Sequence, residues 1–286
     1  MPRTASAAAS ALSASLSRTV ARDIPPQLIA RRPDLAPTDA AVHAPMGAPA
    51  WSLFGMEPIR AALEYARMQM MDMTALPPGD GHPVVVFPGL AADQRSIAPL
   101  VSFCDRLGYT TYDWGRGLNT GPQGDVNAWI DDLAQHVGRL VSAHRERVSL
   151  VGWSLGGLYA REVAKILGRR VRQVITIGTP FTGTVEQKNA SWLYRLVSGP
   201  QPLLDEKLLA RIGTAPDVPT TSIFSRSDGV VAWQTCIQDE AGAHIENIEV
   251  EGSHFGLGWN PDVLAILAGR LSQVPGRWQR HAAREA

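Results

Sequence analysis

The sequence predicts an α/β fold in which about six mostly parallel strands form one sheet with helices on both faces. Three observations support this fold class. The chain has 286 residues, enough for one large domain with a well-buried core. Short continuous apolar runs recur along it, which is typical of strands buried on both faces of a parallel sheet. Segments with helical periodicity separate most of these runs, as crossover helices do in parallel sheets.

Six apolar or β-branched runs mark the predicted strands. They lie at residues 84–87, 109–113, 148–151, 171–177, 220–224 and 245–250. Each is short enough to be a strand and is followed by turn-forming or polar residues. The sequence contains no internal repeat, so we expect one sheet.

Start and stop signals define three helices between or after the strands. One begins after Asp125, and another spans about 155–167 and ends at Gly168, a residue suited to the position after a helix. The last begins at Asn260-Pro261, a capping residue followed by proline at the first helical position.

A further helix is predicted before the first strand, because apolar residues recur there at helical spacing. These residues are Met56, Ile59, Leu63, Ala66, Met70 and Met73. The methionine-rich end of this segment is interpreted as core filling, because methionine adapts to irregular gaps. Its members are Met68, Met70, Met71 and Met73.

The domain itself is predicted to span residues 51–286. Residues 1–50 are rich in Ala and Ser and then in Pro and Ala, so we expect a disordered tail, with a targeting sequence as the alternative. Residues 182–218 contain no convincing strand, but two short amphipathic helices fit at 191–197 and 203–212. A connection of this length is usually functional, and we predict a lid-like insertion.

Composition excludes several classes of protein. Lys+Arg and Asp+Glu both number 27, so no basic excess suggests nucleic-acid binding. The two cysteines, Cys104 and Cys236, form no zinc-binding cluster and are predicted to be buried thiols in a reducing compartment. No apolar stretch is long enough to span a membrane. We therefore expect a cytoplasmic protein without metal or cofactor, and the oligomeric state is left open.

The strongest local signal is Gly152-Trp153-Ser154-Leu155-Gly156-Gly157, which follows a predicted strand and opens a predicted helix. A serine on such a sharp strand-to-helix turn needs small neighbours, and glycines supply them. The turn lifts the hydroxyl above the sheet, near a helix N-terminus that favours negative charge. Ser154 is therefore the candidate nucleophile.

A serine hydroxyl needs a base to accept its proton. Of the chain's histidines, only His254 lies in a loop after the final strand and before the final helix, and sites of parallel sheets form at the carboxyl ends of strands. We predict that His254 is the base. The others are His43, His82, His136, His144, His244 and His281.

The acid that orients the base is expected between the serine and the histidine in chain order. Asp228 lies in the loop after the predicted strand at 220–224, which places it at the required edge of the sheet. An Asp-Gly pair also forms turns without any catalytic role, and Asp239 and Glu240 are alternative acids. Asp228 is the favoured candidate.

Backbone N–H donors are expected to stabilise the oxyanion that forms during acyl transfer. Leu155 supplies one, because it directly follows the serine. Leu90 is predicted to supply the other, because Phe87-Pro88-Gly89-Leu90 follows the first strand and glycine allows close backbone approach.

Tryptophans occur near these loops, and four of them are candidates to line an apolar acyl pocket. They are Trp114, Trp153, Trp192 and Trp233. Each is also explained as an ordinary core aromatic.

From about residue 83 to 272, the chain resembles the small bacterial lipases and esterases of the α/β-hydrolase superfamily. The resemblance rests on residues 87–90, 119–122, 152–157, 178–180, 225–231 and 252–256, which occur in the family's order. It implies hydrolysis of small or lipid-like carboxylic esters through an acyl-enzyme. Lipases of this kind commonly have His-Gly where this chain has Pro88-Gly89, but main-chain donors do not require the histidine.

Two other functions remain open. An acyltransferase uses the same triad when an alcohol or amine replaces water. A non-catalytic binding module of the same fold is the other alternative, although such modules typically lose a triad residue and none is lost here.

Overall fold

A computed structural model describes residues 49–182, 206–239 and 242–281. In these ranges the chain forms a six-stranded sheet with the order β2-β1-β3-β4-β5-β6, and every neighbouring pair is parallel. The strands are β1 (Pro83–Phe87), β2 (Thr110–Asp113), β3 (Val148–Trp153), β4 (Val171–Ile177), β5 (Thr220–Phe224) and β6 (Ile245–Glu249). The predicted fold class and number of strands are confirmed.

Six α-helices lie in the described ranges. They are α1 (Trp51–Gln69), α2 (Gln94–Leu107), α3 (Val126–Leu140), α4 (Leu155–Leu167), α5 (Glu206–Gly213) and α6 (Pro261–Leu271). The caps agree with the sequence signals: Asp125 accepts a hydrogen bond from Ala128 N, and Asn260 accepts from Asp262 N. None of the helices in these ranges is long and apolar enough to cross a membrane.

The sheet separates two apolar cores, because successive side chains of a strand point to opposite faces. Val85 of β1 packs into one core with α3, α4 and α5, whereas Val84 and Val86 pack into the other with α2 and α6. Helices therefore cover both faces, as predicted. The chain runs from β1 to β2 on one side and then returns to β3 on the other, so the carboxyl ends of β1 and β3 form a topological switch point.

Helix α1 forms where the periodicity predicts it, but the apolar residues that predict it face outward. The exposed fractions are 46% for Met56, 56% for Ile59, 61% for Leu63 and 77% for Met70. The buried face instead carries Glu57, Ala61 and Glu64. Core filling holds for three of the four methionines, since Met68, Met71 and Met73 pack against the core of α2 and α6, whereas Met70 does not.

Parts of the predicted domain organisation lie outside the described residues. Nearly all of the tail and residues 183–205 of the predicted lid are in this group. The described ends of the insertion are attached to the domain. Thr182 N donates to Thr235 O, and Leu208 and Ile212 of α5 are buried in the core formed with α3 and α4. The lid stays a prediction.

Both cysteines are free and buried. Burial raises the pKa of the Cys104 thiol to about 12, so that thiol is protonated and unreactive at neutral pH.

Candidate active site

Ser154 lies between β3 and α4 with a strained backbone, at φ 54° and ψ −126°. The turn is tight enough that its glycines admit no larger residue. A Cβ on Gly152 would lie 2.3 Å from Gly157 Cα, and one on Gly156 would lie 2.3 Å from Phe87 O. The sharp turn is thus fixed by close packing against the end of β1.

The structure brings the serine together with the predicted base and acid. His254 Nε2 lies 3.0 Å from Ser154 Oγ, and His254 Nδ1 lies 2.6 Å from Asp228 Oδ2. A carboxylate only accepts hydrogen bonds, so Nδ1 carries the proton and Nε2 is free to accept one from the serine. All three side chains are buried.

Asp228 is fixed by the backbone of the loop that carries it, residues 225–231, which we call the acid loop. Its Oδ1 accepts hydrogen bonds from Val230 N at 2.8 Å and Val231 N at 2.7 Å, leaving Oδ2 for the histidine. These bonds set the direction of the carboxylate.

The charge around His254 favours its protonated form. Burial lowers the pKa of the imidazole, but the Asp228 carboxylate raises it through charge and hydrogen bonding, and Glu57 raises it further. The net direction is above the ordinary value. A base of this kind accepts a proton more readily than a free imidazole.

The predicted oxyanion loop passes directly over the serine. A Cβ on Gly89 would lie 3.2 Å from Ser154 Cβ and 3.8 Å from Ser154 Oγ. Leu155 is the first residue of α4, so its N–H has no partner inside the helix. Leu90 follows Gly89 in the same loop, and its partly buried side chain packs against the core of α3 and α4.

Asn119 holds this loop and was not among the predicted site residues. Its side chain donates to Pro88 O at 2.9 Å, its backbone N–H donates to Ala92 O, and its carbonyl accepts from Ala91 N. The side-chain oxygen accepts from Tyr159 Oη at 3.2 Å. The only sequence signal was that Asn119 belongs to one of the motifs shared with the lipases and esterases.

Gly178 is a second residue whose contacts sequence reasoning did not specify. It has φ +55°, and a Cβ there would lie 3.3 Å from His254 Nδ1 and 3.5 Å from Asp228 Oδ2. Any side chain would therefore crowd the pair formed by the base and the acid.

The candidate pocket tryptophans lie in different environments. Trp153 is buried and donates from Nε1 to His254 O at 3.2 Å, which places it beside the base. Trp114 is buried against Tyr159 in the core of α3 and α4, and Trp233 stacks on Phe224. Trp192 lies outside the described residues. Only Trp153 contacts a member of the candidate triad through the bonds described.

The arrangement joins a serine hydroxyl, an imidazole and a carboxylate in one hydrogen-bonded chain, with the loop of Gly89 packed against the serine. Groups of these kinds can carry out acyl transfer. In the described part of the chain, neither Asp239 nor His244 is a hydrogen-bond partner of the Ser154, Asp228 or His254 side chains, and Glu240 lies outside that part. Within the described ranges, no group of three or more His, Cys, Asp or Glu residues is arranged to hold a metal ion.

Solved structures of similar architecture include several lipolytic proteins. Lipase B of Aspergillus fumigatus is 20% identical, with a TM-score of 0.52, and the match covers 71% of this chain and 56% of the lipase. A monoacylglycerol lipase of Paleococcus ferrophilus is 13% identical, with a TM-score of 0.49, and the match covers 68% of this chain and 96% of the lipase. At these identities the likeness concerns the fold.

Comparison with curated protein sequences gives no significant match. A family model, in contrast, matches residues 84–274, which include the whole sheet except Pro83 at the start of β1, together with Ser154, Asp228 and His254. This match covers well over half of the chain. Together with the parallel sheet and the turn that carries Ser154, it identifies the chain as a member of the alpha/beta hydrolase family.

Proposed function

We propose that this hydrolase cleaves carboxylic esters through an acyl-enzyme on Ser154, with His254 as general base and Asp228 as the acid that orients it. The observation that carries the proposal is the hydrogen-bond chain from Ser154 Oγ to His254 at 3.0 Å and from His254 to Asp228 at 2.6 Å. The first distance lies within the range in which a base accepts a proton from a nucleophile, and the second is that of a hydrogen bond that orients the base.

In the first half of the reaction, Ser154 Oγ attacks the ester carbonyl carbon while its proton passes to His254 Nε2. The carbonyl oxygen becomes an oxyanion, which accepts hydrogen bonds from the N–H groups of Leu90 and Leu155. Collapse of the intermediate breaks the bond to the alcohol oxygen, and His254 gives that oxygen its proton. The acyl group remains on Ser154.

In the second half, a water molecule gives its proton to His254 and attacks the acyl carbon. The second intermediate collapses, the acid leaves, and Ser154 Oγ recovers the proton. Asp228 stabilises the imidazolium in both halves and remains ionised. The acyl chain is expected to contact the candidate pocket tryptophans, which are Trp114, Trp153, Trp192 and Trp233.

Replacement of the nucleophile tests the mechanism. We expect Ser154→Ala to reduce kcat for p-nitrophenyl esters by roughly 10⁴-fold or more, because the acyl-enzyme cannot form. His254→Ala should lose a similar amount, and His244→Ala is the matched control that should retain activity. Circular dichroism and the thermal midpoint check that each variant folds. Near-normal turnover by Ser154→Ala would remove Ser154 from the reaction.

The two alternatives give different results in the same assay. An acyltransferase would form the acylated acceptor in preference to free acid when alcohols or amines are added, and product analysis distinguishes the two. A binding module would fold and bind esters without turnover in the wild-type protein.

A further inference from the structure

The buried face of α1 is charged, which is the reverse of an ordinary surface helix. Glu57, Arg60 and Glu64 are spaced so that they share one face of the helix. Glu57 is fully buried, at 0% exposure, and Glu64 is also buried. Burial of a carboxylate is costly unless hydrogen bonds compensate, so this face needs polar partners.

Glu57 finds its partners on both catalytic loops. Its Oε1 accepts a hydrogen bond from Gly229 N at 2.8 Å, and its Oε2 accepts one from Phe255 N at 2.9 Å. Gly229 directly follows Asp228, and Phe255 directly follows His254. One carboxylate therefore joins the acid loop to residues 251–258, which we call the base loop.

Glu64 binds the residue on the other side of the histidine. Its Oε1 accepts from Ser253 N at 2.8 Å and its Oε2 accepts from Ser253 Oγ at 2.9 Å. With Glu57 on Phe255, both chain neighbours of His254 are held by carboxylates of α1.

Arg60 binds Ser227, the residue that precedes Asp228. Its guanidinium donates to Ser227 O at 2.6 Å and to Ser227 Oγ at 2.8 Å. With Glu57 on Gly229, both chain neighbours of Asp228 are held as well.

Close packing leaves little freedom in these contacts. A Cβ on Gly229 would lie 2.6 Å from Leu53 C, and one on Gly256 would lie 1.5 Å from Glu64 Oε2. The two loops are thus shaped to receive the backbone and the carboxylates of α1. Helix α1 also precedes residues 84–274, the part of the chain that matches the family model.

We propose that α1 is a positioning device for the catalytic pair, in which Glu57 sets the separation and orientation of Asp228 and His254 by binding the residue after each. This inference rests on the proposed function. Glu57 acts through the loops and through its charge, and it does not contact Ser154 in the bonds described. Its charge also favours the protonated imidazole, since it raises the pKa of His254.

The proposal predicts a catalytic defect with a defined signature. A glutamine at position 57 has the size of glutamate but only one acceptor atom, and it faces two N–H donors. We expect Glu57→Gln to lower kcat by roughly 10- to 100-fold with little change in KM, because small displacements of catalytic groups are costly. The apparent pKa of the rising limb of the pH–rate profile should also fall.

Burial lowers the pKa of His254, and Asp228 and Glu57 raise it. The other titratable or charged groups packed around the pair are the Cys236 thiol beside Asp228 and Arg60 and Glu64 of α1. Only Glu57 changes in the variant, so a shift in the titration is assigned to it.

A matched control separates positioning from general stability. Glu246 is also buried, and it accepts hydrogen bonds from Thr221 Oγ1 at 2.7 Å and from Arg270 at 2.6 Å, at the beginning of β6 and away from the serine. Glu246→Gln should lower the thermal midpoint without moving the kinetic pKa. Equal effects of the two variants on kcat and pKa would overturn the proposal.

A second variant and a second readout complete the test. Glu57→Asp keeps the charge but shortens the side chain, so it should lower kcat while the titration of His254 stays near that of the wild type. If Glu57→Gln does not fold, this variant decides, and failure of both to fold would overturn the proposal by making Glu57 a purely structural residue. Wild-type kcat in a folded Glu57→Asp would overturn it too.

Nuclear magnetic resonance of the His254 ring measures its titration without turnover. A lower pKa in Glu57→Gln than in the wild type supports the proposal even if the ester substrate class is wrong. An unchanged titration in an active enzyme would overturn the positioning role and leave the proposed function intact. A wild-type protein without esterase activity would instead count against the proposed function.

Discussion

The imidazole of His254 determines when the proposed reaction can proceed, because it must be neutral to accept the serine proton. Burial favours the neutral form, whereas Asp228 and Glu57 favour the charged form and raise the pKa overall. The two carboxylates that make the ring a stronger base therefore also keep it protonated, and unable to accept the serine proton, at low pH.

We expect kcat/KM to rise with pH along a single ionisation whose apparent pKa lies above 6.5, the ordinary value for histidine. A raised pKa means that the ring stays protonated, and the enzyme inactive, to a higher pH than a free imidazole would allow. Asp228→Asn should lower this apparent pKa and reduce kcat by roughly 10⁴-fold, because the required tautomer is lost. A profile without this ionisation, or an unchanged profile in the variant, would contradict the assignment.

The residues of the candidate site differ in how far the sequence specifies them. Ser154 has a local signature, because the glycines around it are needed by the turn itself. Asp228 and His254 have no local signature, and their prediction depended on chain order and on the edge of the sheet at which each loop emerges. Asn119 and Glu57 contact the site across 31 and 172 positions of sequence respectively, and no periodicity encodes such contacts.

The loop after β1 is held in place by Asn119, which lies in the loop after β2. Asn119 binds it at Pro88, Ala91 and Ala92, and Ala91 has the positive φ of 56° that non-glycine residues seldom adopt. Strain of this kind persists only where surrounding contacts determine the backbone. Asn119 therefore acts as a clamp on the loop that carries Leu90, the proposed second oxyanion donor.

Asn119→Ala should consequently reduce kcat more than it changes KM. Loss of one oxyanion donor costs roughly 10²- to 10³-fold in kcat, and a loosened donor is expected to approach the lower value. The free energy of unfolding should fall by about 1–3 kcal/mol, because buried groups lose their partner. Tyr159→Phe removes one hydrogen bond to the same side chain and serves as the milder comparison. Unchanged kcat in a folded Asn119→Ala would show that the clamp is dispensable.

Helix α1 shows where sequence patterns mislead. Apolar spacing predicted the helix correctly but implied that Met56, Ile59 and Leu63 were its inner face. The opposite face is buried because Glu57 and Glu64 satisfy backbone donors of two loops that are distant in sequence. Hydrophobic periodicity measures apolar content and contains no information about such polar partners.

Over the whole molecule, the sheet explains why the site assembles where it does. All six strands are parallel, so their carboxyl ends lie at one edge, and the loops after β1, β3, β5 and β6 meet there. This edge was predictable from alternating strands and helices. Its connection to α1 was not, because α1 precedes the sheet and lies outside residues 84–274, the part that matches the family model.

The predicted tail provides a test at this scale. Deletion of residues 1–48 should leave the thermal midpoint and ester turnover unchanged, because the described contacts to the catalytic loops begin with α1, whose first turn bonds to Ala50 O. Deletion of residues 1–69 is the matched control and should abolish turnover, since it removes Glu57, Arg60 and Glu64. A large loss in the shorter deletion would mean that the tail contributes to the folded domain.

The central claim is that Ser154 is an activated nucleophile, and covalent labelling tests it most directly. The full-length protein is incubated with a fluorophosphonate, and the adduct is located by intact mass and peptide mapping. We expect one adduct per chain on the peptide containing Ser154, loss of labelling in Ser154→Ala and slow labelling in His254→Ala. A folded wild-type protein that remains unlabelled, or carries its adduct on another serine such as Ser253, would contradict the mechanism.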